Sequence, residues 1–288
     1  SEAPLRKFQL QIPGQVPSNR SAVISPDGKT IVYVSDGRLW IRALDDVTPV
    51  MVPDSEGAVL PFWSAGSDTT GFFNVVEGTL HTAPINGNPG RIRCRLPTRG
   101  VYGGATWGSD GAIIFSQGPL GLFSLKEPDK EPVPIAQIDA AKNDAGFYAP
   151  HLLPDGKTVV FGVWKKDSAW HLDTISEGKR TTLIEAPPGE IITGPVYTST
   201  GYLLYNRVYG SDQGIWAVPF SPEELTVTDE AFEVADQGGW PGSTGKANSW
   251  GRSVKLRIVS LHRRFLRMMN MWRFPDSKGG SGICGRTM

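Results

Sequence analysis

Several features that would point to a particular function are missing from this 288-residue chain. Its two cysteines, Cys94 and Cys284, are too few for a disulfide framework and form no CxxC pair. It contains no run of 18 apolar residues, and residues 1–20 lack the profile of a secretory signal. Nucleophile-elbow, zinc-protease and phosphate-loop motifs are also missing. Motifs alone therefore assign no catalytic chemistry.

Turn-forming residues are abundant by contrast. The chain has 34 glycines and 23 prolines, which favours many short strands joined by turns over long helices. No segment before residue 250 has the periodicity of a long amphipathic helix. The sequence therefore predicts an all-β protein.

The formal net charge of zero conceals an uneven distribution. Residues 246–288 hold ten Lys or Arg residues and one acid, Asp276. Subtracting these from the 29 basic and 29 acidic residues of the whole chain leaves 19 and 28, so the body carries −9 and the tail +9. This shift in composition predicts a boundary near residue 248.

A short motif recurs along the body at regular spacing. Ser25-Pro26-Asp27-Gly28-Lys29-Thr30 leads into an apolar strand, and Pro154-Asp155-Gly156-Lys157-Thr158 repeats it closely. With weaker copies at Ser67, Gly111 and Gly201, the intervals are 39, 44, 45 and 45 residues. A period in the low forties with several short strands in each unit is typical of a β-propeller blade.

Each unit predicts short strands separated by polar turns. Lys165-Lys166-Asp167 is predicted to be a solvated hairpin tip, and residues 177–180 a polar turn. Cys94 is predicted to point inward from an alternating strand with Arg91, Arg93 and Arg95 outward, or else to have a thiol pKa lowered by those cations. The predicted strands include Thr30–Ser35, Arg38–Ala43, Val47–Pro53, Thr79–Pro84, Tyr202–Tyr209 and Phe232–Ala235.

The repeat resembles the WD40-like "PD40" repeats of TolB-type propellers, and more closely those appended to bacterial serine/threonine protein kinases. Further similar stretches include Arg6–Pro13, Gly57–Ser64, His151–Gly156 and Gly214–Phe220, so the resemblance covers about residues 5–248. It implies a ligand- or protein-binding module of a bacterial signalling or envelope protein, in a periplasmic or extracytoplasmic location. Such propellers serve many purposes, so the fold is implied more specifically than the function.

The expected architecture is a six-bladed propeller over residues 1–248, with an irregular or incomplete last blade. The N-terminal strand Phe8–Ile12 is expected to close the ring by pairing with that blade. Residues 249–288 form a basic, atypical tail where the sixth repeat is due. One interpretation is a frame-shifted or truncated blade, as in a fragment recovered from environmental DNA; the other is a genuine basic segment, of which Val254–Leu261 has the composition of a strand.

The segments before each turn marker are predicted to be loops around the mouth of the central channel. The candidate residues in these segments either form a ligand site or are ordinary polar loop residues. A divalent metal ion in the channel is a further hypothesis, although no ligand set with tight spacing supports it. The catalytic candidates are His151, Asp144, Glu56 and Glu190, and the ligand-binding candidates are Arg20, Arg99, Tyr102, Tyr148, His151 and Trp240.

Binding of a protein or small molecule at the channel mouth is the function that the resemblance implies. The alternative is a promiscuous hydrolase that acts on an activated ester, phosphotriester, lactone or glycoside through a metal or carboxylate site in the channel. Nucleic acid is not an expected partner, and neither is a membrane except through the basic tail. A homodimer formed through open blade edges is a further hypothesis.

Overall fold

Short antiparallel strands, joined in sequence order, build every sheet of the structure. The structure is a computed structural model that describes residues 22–128 and 130–236, and these residues form five sheets. The first three are β1–β4, β5–β8 and β9–β12. Their strands are Ala22–Ile24, Thr30–Ser35, Arg38–Ala43 and Val50–Met51; Ala58–Trp63, Thr69–Asn74, Thr79–Pro84 and Arg91–Arg95; and Ala105–Trp107, Ile113–Ser116, Leu122–Leu125 and Val133–Ala136.

The last two sheets contain the longest strands. A 3-10 turn at Ala140–Lys142 precedes the fourth sheet. In the fifth sheet both of the final strands, β20 and β21, pair with β19. Strands β13–β16 are Asp144–Leu152, Val159–Lys165, Trp170–Ser176 and Lys179–Glu185, and β17–β21 are Glu190–Thr198, Tyr202–Tyr209, Asp212–Ser221, Thr226–Val227 and Phe232–Asp236.

The repeated motif forms the turn between the first two strands of a sheet. In the first copy, Asp27 Oδ1 accepts a hydrogen bond of 2.6 Å from the Ser25 hydroxyl and one of 3.1 Å from the Lys29 amide. These hydrogen bonds lower the pKa of Asp27. Gly28 has a φ of +70°, which explains why glycine follows the aspartate. The Asp155 carboxylate likewise accepts from the amides of Lys157 and Thr158.

The five sheets are arranged as the blades of a propeller. The first strands β1, β5, β9, β13 and β17 each contact the next one in this order, which places them innermost. Four apolar clusters fill the spaces between successive blades. In the second cluster, for example, Phe73 of blade 2 packs against Phe115 of blade 3 with ring centroids 6.2 Å apart. Stacking therefore buries the blade faces that a single sheet would expose.

The number of blades differs from the prediction. The described residues form five blades and not six. The sixth repeat, the closing strand Phe8–Ile12 and the tail 249–288 all lie outside the described residues. Within the described ranges, no helix has the length and apolar character needed to cross a bilayer.

Glu56, Arg99 and Tyr102 lie between strands, as the loop prediction requires. That prediction was wrong for Asp144, Tyr148, His151 and Glu190, which lie on innermost strands. Their alternating pattern is interrupted by β-bulges at which the register shifts. At these bulges Leu60, Ala149 and Gly194 have φ values of +49°, +52° and +67°, and each is followed by a proline. A proline and a bulge both interrupt the alternating pattern of an ordinary strand, which is why the sequence pattern does not reveal these strands.

Candidate ligand-binding site

The predicted catalytic carboxylates are engaged in ion pairs. Asp144, the first residue of β13, is fully buried, and its Oδ1 lies 2.9 Å from Lys165 Nζ and 3.0 Å from Arg180 Nη2. Arg180 Nη1 bonds the other oxygen, and its Nε donates to Asp173 at 2.5 Å. Burial would raise the pKa of Asp144, but the hydrogen bonds from Arg180 and Lys165 outweigh it and hold that pKa below its ordinary value.

This cluster corrects two predictions made for polar turns. Arg180 was expected in a polar turn, but it lies on β16 and reaches across the sheet with its guanidinium 4.7 Å from the centre of the Phe147 ring. Lys165 was expected at a solvated hairpin tip, but it ends β14 and is buried. The charge of Arg180 and Lys165 alone suggested that both side chains would be exposed. The carboxylates that make their burial tolerable come from distant parts of the sequence.

Glu190 and Glu56 also have arginine partners. Arg207 Nη2 lies 2.9 Å from Glu190 Oε1, its Nε bonds the other oxygen, and the hydrogen bonding lowers the pKa of Glu190. The Arg207 guanidinium lies 4.2 Å from the centre of the Trp216 ring. Glu56 is exposed and lies 2.9 Å from Arg38.

His151 lies far from Asp144 although both are on β13. Seven residues separate them, which corresponds to roughly 20 Å along an extended strand. The structure therefore does not bring this acid and this imidazole together. Burial lowers the pKa of His151 to about 4, so its imidazole is neutral at pH 7.

The lowered pKa of His151 predicts a pH dependence of stability. In the unfolded chain its pKa returns to about 6.5, so between pH 6.5 and 4 the unfolded state binds a proton that the folded state excludes. Stability is therefore full above pH 6.5 and falls as the pH drops toward 4. We expect His151→Gln to remove about 1–2 kcal/mol of the loss between pH 7.5 and 5. Urea unfolding at both pH values measures it, and equal losses in the variant and the wild type would contradict it.

The two predicted tyrosines take part in packing. Tyr102 lies against Phe73 with ring centroids 5.6 Å apart, in the cluster between blades 2 and 3. Tyr148 packs against Trp170 at 5.7 Å, and burial raises its pKa. Arg20 and Trp240 lie outside the described residues.

Arg99 is the predicted ligand-binding residue that lies in a concave site. It lines an open depression of about 440 Å³ on blade 2, together with Val76, Glu77, Thr79, Ile92 and Arg95. Both arginines are exposed, and no ion pair or hydrogen bond within the described residues engages either guanidinium. This distinguishes them from Arg38, Arg180 and Arg207, which bind carboxylates. Among the residues that the structure describes, the depression therefore offers two cations without a carboxylate partner.

A polar group on β7 and the turn before it forms one side of this depression. The Thr79 hydroxyl lies 2.8 Å from His81 Nε2, and Glu77 Oε2 lies 3.2 Å from both. Burial lowers the pKa of His81 despite its contact with Glu77. Gly78 lies beneath the Arg99 side chain. A Cβ at this position would be 2.6 Å from Arg99 Cγ, so a larger residue would displace the arginine.

The sequence analysis missed Arg95, Glu77 and Thr79 as members of this site. The signal available was the run Arg91-Ile92-Arg93-Cys94-Arg95, which was interpreted only through its cysteine. Cys94 does point inward, and burial raises its pKa to about 11, so the thiol is not activated by its neighbours. In the described ranges no three His, Cys, Asp or Glu side chains are grouped as a metal site requires.

The fold of this chain is matched by solved structures of other proteins and not by sequence comparison. No family model and no curated protein sequence matches the chain. TolB from Agrobacterium tumefaciens matches with a TM-score of 0.60 and 15% identity, over 76% of this chain and 81% of that one. TolB from Acinetobacter baumannii matches with a TM-score of 0.56 and 16% identity, over 69% of this chain and 51% of that one. Oligogalacturonate lyase from Vibrio parahaemolyticus matches with a TM-score of 0.53 and 16% identity, over 81% of this chain and 72% of that one.

These similarities define the class of protein. The chain is a β-propeller, and the TolB proteins are among the solved structures with a similar arrangement of sheets. At identities of 15–16% the likeness establishes the fold and leaves the function to be argued from this chain's own residues.

Proposed function

We propose that this chain is a ligand-binding β-propeller module and that Arg95 and Arg99 bind an anionic group of the ligand. The observation that carries this proposal is that one depression is lined by two guanidinium groups for which no described residue provides a carboxylate partner. Arginine presents a planar set of donors that fits carboxylate and phosphate oxygens. Val76 and Ile92, both substantially exposed, supply apolar contact for the rest of the ligand. The volume of about 440 Å³ suits a small organic acid.

Binding accounts for the described residues better than hydrolysis does. Asp144 and Glu190 have lowered pKa values and are held by arginines, whereas a general acid needs a pKa near the working pH. The TolB-like fold is compatible with a module of a bacterial signalling or envelope protein, as the resemblance to kinase-associated propellers implies. The hydrolase alternative remains a hypothesis centred on His151 and Glu56.

Isothermal titration with citrate, galacturonate and inorganic phosphate tests the proposal. We expect at least one of these anions to bind, and Arg99→Gln or Arg95→Gln to weaken it roughly 10- to 100-fold, since hydrogen bonds to charged groups contribute about 1.5–3 kcal/mol. Arg91→Gln is the matched control, because Arg91 is also exposed on β8 but does not line the depression. No binding across the panel, or an equal loss in the Arg91 variant, would contradict the proposal.

A further inference from the structure

Glu77 adds a third charged group to the depression that Arg95 and Arg99 line. It lies in the turn before β7, and the two residues that follow it adjoin the two arginines. Gly78 lies beneath the Arg99 side chain, and Thr79 is paired directly with Arg95 of β8. Paired residues on adjacent strands have Cβ atoms about 5 Å apart on one face of the sheet. The fold therefore places the Glu77 carboxylate beside both arginines.

The described residues engage only one oxygen of the Glu77 carboxylate. Its Oε2 lies 3.2 Å from the Thr79 hydroxyl and 3.2 Å from His81 Nε2, whereas its Oε1 has no hydrogen-bond partner in this part of the chain. Burial lowers the pKa of His81, so its imidazole is neutral at pH 7 and does not balance the carboxylate. Among the described residues, neither Arg95 nor Arg99 forms an ion pair with Glu77, whose side chain is 50% exposed. Glu77 therefore presents an oxygen and a negative charge to a ligand.

The charges of the depression match a ligand that carries charges of both signs. Two guanidinium groups can each bind a carboxylate, and one carboxylate can bind an ammonium group through a charge-assisted hydrogen bond. A dianion without an ammonium would bring like charge against Glu77, and the carboxylate would then oppose its binding. The arrangement therefore favours a ligand with two anionic groups and one cationic group over a plain dicarboxylate.

We propose that the ligand is an acidic amino acid, whose two carboxylates bind Arg95 and Arg99 and whose ammonium group binds Glu77. This inference rests on the proposed function, because it takes the same depression as the binding site and adds the class of ligand. The exposed side chains of Val76 and Ile92 contact the short methylene chain between the charged groups. Glu77 determines specificity, since it attracts the ammonium and repels dicarboxylates that lack one.

Isothermal titration with three ligands of similar length tests the proposal. L-glutamate has both carboxylates and the ammonium, glutarate lacks the ammonium, and 4-aminobutyrate lacks one carboxylate. We expect glutamate to bind at least about 10-fold more tightly than either of the others, because each of them loses one charge-assisted hydrogen bond. Equal affinities for glutamate and glutarate would overturn the proposal, and so would equal affinities for glutamate and 4-aminobutyrate.

Glu77→Gln tests whether this residue recognises the ammonium. Glutamine keeps an oxygen that accepts from the Thr79 hydroxyl but has no charge. In this variant we expect the preference for glutamate over glutarate to fall below about 3-fold, while glutarate binds at least as tightly as in the wild type. Glu131→Gln is the matched control and should keep the full preference, because Glu131 is exposed beside β12 and does not line the depression. An unchanged preference in Glu77→Gln would contradict the role of Glu77.

Glutarate separates a failure of this inference from a failure of the proposed function. If glutarate binds and Arg99→Gln weakens it about 10-fold, but glutamate binds no more tightly than glutarate, the depression binds anions and the acidic amino acid is the wrong ligand class. If neither glutarate nor glutamate binds and citrate, galacturonate and phosphate also fail to bind, the proposed function fails as well.

Discussion

Arg180→Met should lower the free energy of unfolding by about 3–5 kcal/mol, the cost of removing one partner from a buried ion pair. Arg180 bonds both Asp144 and Asp173, which are 0% and 1% exposed, and its loss leaves Asp144 with the Lys165 ammonium and a hydrogen bond from the Asp139 amide. The guanidinium also packs on Phe147, so methionine keeps part of the contact and isolates the effect of charge.

Urea unfolding at pH 7 measures this effect against an exposed pair. Arg38→Met breaks the ion pair with Glu56, in which both side chains are about half exposed, and should cost less than about 1 kcal/mol. A similar cost for both variants would show that the cluster on blade 4 contributes no more than a surface contact. Because the pKa of Asp144 is lowered in the folded state, its contribution is present above the ordinary carboxyl pKa and is lost as the pH falls below it.

Phe73→Ala should destabilise the propeller by about 3–5 kcal/mol, as expected for deleting a fully buried aromatic side chain. Its ring packs against Phe62, Tyr102 and Phe115, with centroids 5.6–6.2 Å apart, and so joins blades 2 and 3. Aromatic rings of adjacent blades pack the two sheets against each other. A cavity in place of the Phe73 ring would weaken that packing for both sheets.

Thermal and urea unfolding check this expectation, with Val133→Ala as the control. Val133 lies on the outer strand β12 and is 62% exposed, so its truncation should change stability by no more than about 0.5 kcal/mol. If Phe73→Ala costs less than 1 kcal/mol, the packing between blades 2 and 3 is not what stabilises this part of the ring.

Local features of the fold were predictable from sequence because they depend on neighbouring residues. The strands Thr30–Ser35, Arg38–Ala43, Thr79–Pro84 and Tyr202–Tyr209 are confirmed with their predicted bounds. Each follows or precedes a turn that its own residues specify. The strand predicted at Val47–Pro53 is only Val50–Met51.

The innermost strands and the candidate site were harder to predict because both depend on distant contacts. Bulges such as Ala149-Pro150 interrupt the alternation of β13, so the segment was interpreted as a loop. The predicted site residues Asp144 and His151 were grouped by their position before a turn marker, whereas their places on the strand separate them. Arg99 was among the predicted ligand-binding residues, but its neighbour Arg95 becomes apparent only when β8 and the following loop come together.

Chemical protection of arginines tests the central claim most directly, because it locates the bound anion. The protein is treated with phenylglyoxal with and without the tightest-binding anion of the panel, and modified peptides are quantified by mass spectrometry. The account predicts that the anion slows modification of Arg95 and Arg99 at least 5-fold and leaves Arg91 unchanged. Equal protection of Arg91, or no protection of Arg95 and Arg99 at a saturating anion concentration, would contradict it.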